Sequence, residues 1–223
     1  MNKKIFSKLL GHSQNNLGRI TDPWIQETFG VSVKRCDTIE QYVNAIDNAV
    51  LDKYFSTYWQ ADMKKWKYSG LQLIDEVNNL KPRAVLDVGC GYNEFKGKID
   101  NLTGIDPYND KADFKTSIMD FKPQQKYDVI LCLGSVNFGS RDKIVSEVAK
   151  CANILEDDGF MFFRVNPGLP HDKKESEWVD FFAWNVPFII ELAENLSFKI
   201  LDIRDDTNQR KYFVYKKAHN TKL

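Results

Sequence analysis

The stretch "VLDVGCGYNEF", Val85 to Phe95, decides the reading of this chain. With its flank it gives "RAVLDV" (83 to 88), a nearly continuous apolar run of the kind found in strands buried on both faces of a parallel sheet. Gly89 and Gly91 follow at once. Glycines there let the backbone turn sharply and approach a ligand closely, which a Cβ would obstruct. A Gly-x-Gly-x-x-Gly loop would place its third glycine at Glu94, and a Gly-x-Gly-x-Gly loop at Asn93; neither is glycine. Asn tolerates the left-handed backbone better than most residues. The loop therefore survives if Asn93 adopts a glycine-like conformation, and that is the expectation.

Working outward, "LTGID" (102 to 106) reads as the next strand, and Asp106 ends it 19 residues after Asp87. That is close to the spacing of an acid that grips ribose hydroxyls, from which a carboxylate accepts without a proton of its own. The plainer reading of "DPYND" is a turn with acidic caps. A short strand is expected near Asp113 to Thr116, then "YDVILCL" (127 to 133) and "GFMFFRV" (159 to 165) after the turn "EDDG". Between the last two, Ser140 opens a helix with Ile144, Val148, Cys151 and Leu155 on one face, and a later helix carries Val186, Ile189, Ile190, Ala193 and Leu196. "FKILDI" (198 to 203) and "KYFVYK" (211 to 216) are separated only by "RDDTNQR", too short for a parallel crossover. The sum is an α/β fold: a doubly wound, mostly parallel seven-stranded sheet with an antiparallel C-terminal β-hairpin and an N-terminal helical extension. Ligands of such sheets lie beyond the C-terminal strand ends, which brings the Gly89 loop, Asp106 and the Leu133 to Asn137 turn around one crevice.

The first 80 residues read as helices and loops. "MNKKIFSKLLGHSQNN" suits a basic surface helix. Asp37 and Glu40 have capping-box spacing before Ile39, Tyr42, Val43 and Ile46, and further faces are Leu51, Tyr54, Phe55, Tyr58 and Leu73, Ile74, Val77, Leu80. The expected domains are a helical extension or lid over 1–80, a sheet domain over 81–217 and a tail over 218–223. At 223 residues, one substantial core is the default. Lys plus Arg and Asp plus Glu both number 31, so no net field favours nucleic acid or a membrane surface. No apolar run approaches the ~20 residues that span a bilayer, and the start lacks a cleavable leader pattern, which reads as cytoplasmic. Cys36, Cys90, Cys132 and Cys151 show no C-x-x-C spacing, and His12, His171 and His219 are isolated, so neither a metal site nor a disulfide framework is expected.

From Ala84 to Lys216 the chain resembles the class I S-adenosylmethionine-dependent methyltransferases. The resemblance rests on "VLDVGCGYN", the acid in "LTGIDP", "SIMDFKPQQKYDVILCLGSV", "ILEDDGFMFFRV" and the terminal hairpin. It implies S-adenosylmethionine as cofactor and a methyl acceptor that could be a small molecule, nucleotide, sugar or protein. It further implies that Asp87 organises a loop of Gly89, Cys90, Gly91 and Asn93 around the methionine part. Asp106 would hold the ribose, Ser117 and Ile118 the adenine edge, and the Leu133 and Gly134 backbone the methionine amino group. Two features depart from the family: "EFKGKIDN" is too short for the usual helix between the first two strands, and the third glycine is missing. A dinucleotide-dependent oxidoreductase is allowed by the glycine spacing alone, and a non-catalytic binding or assembly module by the lack of a convincing base.

Methyl transfer asks the protein for an acceptor held in line in a pocket that excludes water. Candidate pocket material is Tyr54, Tyr58, Trp59 and Trp66, the "SVNFGS" turn with Asn137 and Phe138, and "RVNPGLPHDKKESEWVDFFAW" with Trp178 and Trp184. Aromatics at helical spacing are more often core. Asn137, Arg164 and His171 are the candidate catalytic residues. Arg164 ends a buried strand and needs an acidic partner or an anionic substrate, and His171 has a pKa suited to taking a proton, although a surface histidine is the plainer reading. "VNPG" follows the fifth strand, not the fourth, so it is not the Asn-Pro-Pro-aromatic motif of amino-methylating nucleic-acid enzymes; a nucleic-acid partner is not favoured.

Overall fold

In the computed structural model the described residues are 1–60, 62–169 and 174–219. They form two compact units, one of Gln60–Asn137, Arg141–Leu169 and Phe182–Leu223, the other of Met1–Trp59, Phe138–Ser140 and Pro170–Phe181.

The larger unit is built on a six-stranded sheet of β1 (Val85–Val88), β2 (Leu102–Ile105), β3 (Tyr127–Leu133), β4 (Leu155–Val165), β5 (Phe198–Asp206) and β6 (Arg210–Lys217). The order is β2-β1-β3-β4-β6-β5. The first four strands pair parallel, and β6 runs antiparallel to both β4 and β5. Alternation along the strands divides the core in two, as the pleat requires. Leu86, Ile130, Cys132, Phe163 and Phe213 pack with Ile144, Val148 and Cys151 of α5 (Arg141–Ile154) and with Ile189 and Leu192 of α6 (Val186–Asn195). Val85, Val129, Leu131, Phe162 and Val214 pack on the other side with Leu73 and Val77 of α4 (Gln72–Asn79).

Among the described residues the sheet has six strands, not seven. Near Asp113 to Thr116 there is a single bridge, Ile105 to Phe114. "KADFKT" offers one large apolar side chain, and Phe114 is 54% exposed, so no buried face holds the segment as a strand. The Asp113 carboxylate accepts the β2 N–H of Gly104 (2.7 Å) and the Lys96 ammonium (2.8 Å). Other differences are local. In α6, Val186 and Ile190 face outward while Phe188 and Leu192 are buried. "EDDG" becomes a bulge within β4: Tyr127 pairs with Leu155 but Val129 with Phe160, and Asp158 has φ 62°. Much of "RDDTNQR" is strand, because left-handed Asn208 and Gln209 complete the reversal in a short turn.

The smaller unit carries α1 (Lys3–Ser13), α2 (Asp22–Phe29) and α3 (Ile39–Lys53), the last running into a π-helical turn at Tyr54–Tyr58. The capping box of α3 is Thr38 with Gln41, one residue later than Asp37 with Glu40. The Gln41 side chain accepts the N–H groups of both Asp37 and Thr38, which fixes the later start. Asn2 caps α1 and donates to Asp47 and to the Trp178 carbonyl, each at 2.8 Å. Among the described residues no helix is long and apolar enough to cross a membrane.

Candidate functional site

The loop that leaves β1 folds across the end of β2. The N–H groups of Gly89 and Cys90 both reach the Ile105 carbonyl, at 2.7 and 3.0 Å. Three alternate positions are left-handed, Gly89 (φ 68°), Gly91 (φ 55°) and Asn93 (φ 58°). Asn93 thus adopts the backbone that a third glycine would have supplied. Its side chain is used as well: Nδ2 donates to the Lys111 carbonyl at 3.1 Å. Asn93 is 9% exposed, and its Oδ1 is buried without a hydrogen-bond partner among the described residues. This oxygen lies over β2, where a Cβ on Gly104 would come within 2.5 Å of it and 2.8 Å of Cys90 Sγ. No regular helix joins β1 to β2; the turn closes with Lys98 and Ile99 both donating to Phe95 at 3.0 Å.

Asp106, 6% exposed, is both a turn residue and a neighbour of the glycine loop. Its Oδ1 accepts from the N–H groups of Tyr108 (2.7 Å) and Asn109 (2.9 Å). Its Oδ2 accepts from Gly91 N–H at 2.9 Å and keeps further acceptor capacity. Asp87 is 3% exposed, and burial, reinforced by the Asp106 charge, pushes its pKa up to about 7. Burial also raises the Cys90 thiol, helped by the nearby Asp87 and Asp106 charges, so it is no thiolate at neutral pH. Ile118 is buried in the cluster that holds Val88 and Ile105. Ser117 Oγ is turned to its own chain, donating to Asp120 Oδ2 (2.6 Å) and accepting from Asp120 N–H (3.2 Å).

From the end of β3, Leu133 is 8% exposed and Gly134 is left-handed with φ 100°. A Cβ at Gly134 would meet no atom within 4 Å, so the chain is open there to close approach. Ser135, which the sequence did not single out, packs against the glycine loop. A Cβ on Gly89 would lie 2.3 Å from Ser135 Cβ.

The proposed catalytic side chains are engaged inside the fold. Asn137 (5% exposed) accepts Asn166 N–H on Oδ1 at 2.9 Å, and its carbonyl accepts Phe182 N–H at 2.7 Å. Asn166 in turn accepts from Gly168 and Leu169, so the two asparagines brace the turns after β3 and β4. Arg164 has the acidic partner that its burial demanded: Nε lies 3.4 Å from Asp206 Oδ2, Nη2 donates to the Thr207 carbonyl at 3.2 Å, and the guanidinium sits 4.5 Å over Trp66. Desolvation lowers its pKa to about 10 against the opposing pull of Asp206. Trp184 is core, not pocket, at 1% exposure, with its indole N–H on the Val136 carbonyl at 2.9 Å. In the smaller unit Phe55 makes edge contacts with Tyr54, Trp59 and Phe138, and Phe138 meets Phe181 at 5.3 Å. Tyr58 is 40% exposed, and Trp178 packs edge-on to Phe29 at 4.8 Å. Phe55 and Phe181 gain their place from packing between distant segments, which no local pattern announces. His171 lies outside the described residues. Among those described, all four cysteines are free and no three His, Cys, Asp or Glu side chains gather as a metal site.

No family model matches the chain, and no curated protein matches it in sequence. Solved structures do match. The 1,6-didemethyltoxoflavin-N1-methyltransferase of Burkholderia thailandensis, with bound 1,6-didemethyltoxoflavin and S-adenosylhomocysteine, is similar with TM-score 0.59 and 14% identity over 84% of this chain and 94% of that one. Magnesium protoporphyrin IX methyltransferase from Synechocystis PCC 6803, with bound S-adenosylhomocysteine, gives 0.55 and 13% over 77% and 100%. An S-adenosylmethionine-dependent methyltransferase from Clostridium acetobutylicum gives 0.52 and 15% over 80% and 98%. Identities this low speak to architecture alone. The larger unit, with its strand order and its glycine loop at the end of β1, has the class I S-adenosylmethionine-dependent methyltransferase fold.

Proposed function

We propose that this chain is an S-adenosylmethionine-dependent methyltransferase. The observation that carries the reading is the loop with left-handed Gly89, Gly91 and Asn93, folded over the end of β2 and joined to Asp106 by the Gly91 N–H. Residues and cofactor fit: Gly134 leaves open space beside its Cα, and Asp106 Oδ2 can accept a ribose hydroxyl besides Gly91. The bound cofactor would supply an electrophilic methyl group on a sulfonium. The chain's task is then to bind, orient and exclude water, with Gly89, Cys90, Gly91 and Asn93 along the methionine part and Asp106 at the ribose. Asp87, Ile118, Leu133 and Gly134 complete the frame, and Ser117 joins at the adenine edge if it leaves Asp120. Asn137 supports this frame through Asn166, and Arg164 supports the β4 end through Asp206. The acceptor is a small molecule, nucleotide, sugar or protein.

A second reading, a non-catalytic module on the same fold, is favoured by one observation: Asp106 already accepts three backbone N–H groups. Calorimetry with S-adenosylhomocysteine, beside a nicotinamide dinucleotide, tests the cofactor. Binding of the first alone is expected; heat from the dinucleotide only would refute it. Asp106→Ala should weaken binding by about 2–3 kcal/mol, roughly 30- to 150-fold, the scale of charge-assisted hydrogen bonds. Transfer of a labelled methyl group to a lysate component separates enzyme from module.

A further inference from the structure

Near the end of β4 the fold uses only part of the Arg164 guanidinium. In register Arg164 stands between Leu133, which ends β3, and Tyr212 of β6, and Asp206 ends β5 at the same side of the sheet. Open α/β sheets hold their ligands at that side. The Arg164 side chain is 10% exposed. Its Nη2 donates to the Thr207 carbonyl at 3.2 Å, and its Nε is buried without a hydrogen-bond partner, 3.4 Å from Asp206 Oδ2. Nη1 has no partner among the described residues and is not sealed off as Nε is, so the exposed tenth of the side chain includes its N–H donors. Asp206 does not complete the pairing. A carboxylate offers about four lone-pair sites, and those of Asp206 are already taken by the N–H groups of Lys67, Tyr68, Ser69 and Thr207 and by Ser69 Oγ. It meets Arg164 as a charge rather than as a hydrogen-bond acceptor. Desolvation outweighs its pull, and the like charge of Arg210 adds to the deficit, so the Arg164 pKa falls to about 10.

Packing does not call for an arginine here. Half-buried Trp66 lies 4.5 Å from the guanidinium and packs on the cluster that holds Leu133. A methionine would fill that place and keep the aromatic contact without burying a charge. Resting on the methyltransferase reading above, we infer that Arg164 Nη1 binds an anionic group of the methyl acceptor, a carboxylate or a phosphate, so that the acceptor is an organic anion methylated at another atom. Such a group forms charge-assisted hydrogen bonds with a guanidinium. Leu133, the β3 neighbour of Arg164, leads directly into Gly134 of the cofactor frame. The anchor therefore stands one strand, about 5 Å, from the backbone that receives the donor.

The test titrates the wild-type protein, saturated with S-adenosylhomocysteine, with inorganic phosphate and with acetate at constant ionic strength, acetamide serving as the uncharged control. Nuclear magnetic resonance follows the arginine Nε–H signals, and Arg164→Lys identifies that of Arg164 by its loss. The expected result is a saturable shift of this signal with phosphate, acetate or both, and none with acetamide; which anion binds tells a phosphate from a carboxylate acceptor. By calorimetry Arg164→Met should bind the anion at least about tenfold more weakly, the scale of one charge-assisted hydrogen bond, with its affinity for S-adenosylhomocysteine unchanged. If Arg164→Met does not fold, the wild-type titration still decides. No shift with either anion, an equal shift with acetamide, or undiminished anion binding by Arg164→Met overturns the inference while the cofactor reading stands. Displacement of the anion by S-adenosylhomocysteine, or weaker binding of S-adenosylhomocysteine by Arg164→Met, would give the guanidinium to the cofactor and overturns it too. A wild-type protein that binds no S-adenosylhomocysteine removes the cofactor reading, and the acceptor assignment with it.

Discussion

Replacing Gly104 by alanine tests whether the side chain of Asn93 has taken over the space of the missing third glycine. The added Cβ would stand 2.5 Å from Asn93 Oδ1 and 2.8 Å from Cys90 Sγ, both closer than real Cβ contacts. Overpacking of this kind costs about 1–3 kcal/mol, while Gly→Ala recovers about 0.4–1 kcal/mol from the unfolded chain. A net loss of about 1–2 kcal/mol is expected. Asn93→Gly should be nearly neutral. It forfeits the bond from Nδ2 to the Lys111 carbonyl, worth about 1 kcal/mol, but removes a buried oxygen without a partner and places glycine where φ is 58°. In the double variant the nearer obstacle is gone and Cys90 Sγ can turn aside, so Gly104→Ala should then cost under about 0.5 kcal/mol. The coupling between the two sites is therefore about 0.5–2 kcal/mol, at or above the upper limit of the ~0.3–0.5 kcal/mol within which independent sites add. Urea unfolding of the four proteins, followed by circular dichroism, measures it. Simple additivity would show that Asn93 does not lie over Gly104, and the account of the loop would fall.

Two more predictions concern charge in the interior. Asp87 has its folded-state pKa raised from 3.8 to about 7, so the folded chain holds this proton more tightly than the unfolded chain. Its effect on stability is therefore unfavourable as pH rises from about 4 to about 7. Glu147, raised by burial from 4.5 to about 7, acts in the same direction. Asp87→Asn should flatten its share of that decline, as seen in urea midpoints across pH 4 to 8; an unchanged pH profile would refute the assignment. At the β5–β6 turn, Asp206 accepts from Lys67, Tyr68, Ser69 and Thr207 N–H groups and from Ser69 Oγ at 2.5 Å, besides facing Arg164. Breaking a buried pair costs about 3–5 kcal/mol when it strands a charge. Arg164→Met leaves a carboxylate that is still solvated by five donors and should cost only about 1–2 kcal/mol. Asp206→Ala strands both the guanidinium and those donors and should cost at least about 3 kcal/mol. At about 2–4 °C per kcal/mol the melting temperatures should separate clearly; equal losses would contradict the network.

The strands were legible because buried parallel strands are written as apolar runs, and "VLDV", "LTGI" and "YDVILCL" became β1, β2 and β3. The strand expected at Asp113 to Thr116 failed for the same physical reason: Phe114 alone cannot make a buried face, and Asp113 competes for the neighbouring Gly104 N–H. Asn93 was legible because its requirement is local, a backbone angle that few side chains accept. Arg164 was half legible. Burial demanded an acid, but nothing local in the sequence selects Asp206, which ends β5 and is brought there because β6 pairs antiparallel with both β4 and β5. Trp184 was misread because a tryptophan after a strand end can serve a pocket or a core, and the Val136 carbonyl that satisfies its N–H is visible only once the chain is folded.

What stayed hidden in the site has one cause: it consists of side chains from one strand end set against backbone from another. Gly89 is glycine for its φ of 68° and also because Ser135 occupies the place of its Cβ. Gly104, in the middle of β2, looks from the sequence like a weak point in a strand, yet its bare Cα is what admits Asn93 and Cys90. A glycine lost from the loop is thus matched by one present in the adjacent strand. The short crossover makes this exchange intelligible. Without a helix after the loop, Asn93 turns its side chain inward to the Lys111 carbonyl, binding the loop to the segment beyond β2. A glycine at 93 would keep the backbone shape but give up that tie, so the departure from the family pattern at this position is itself part of how the loop is held.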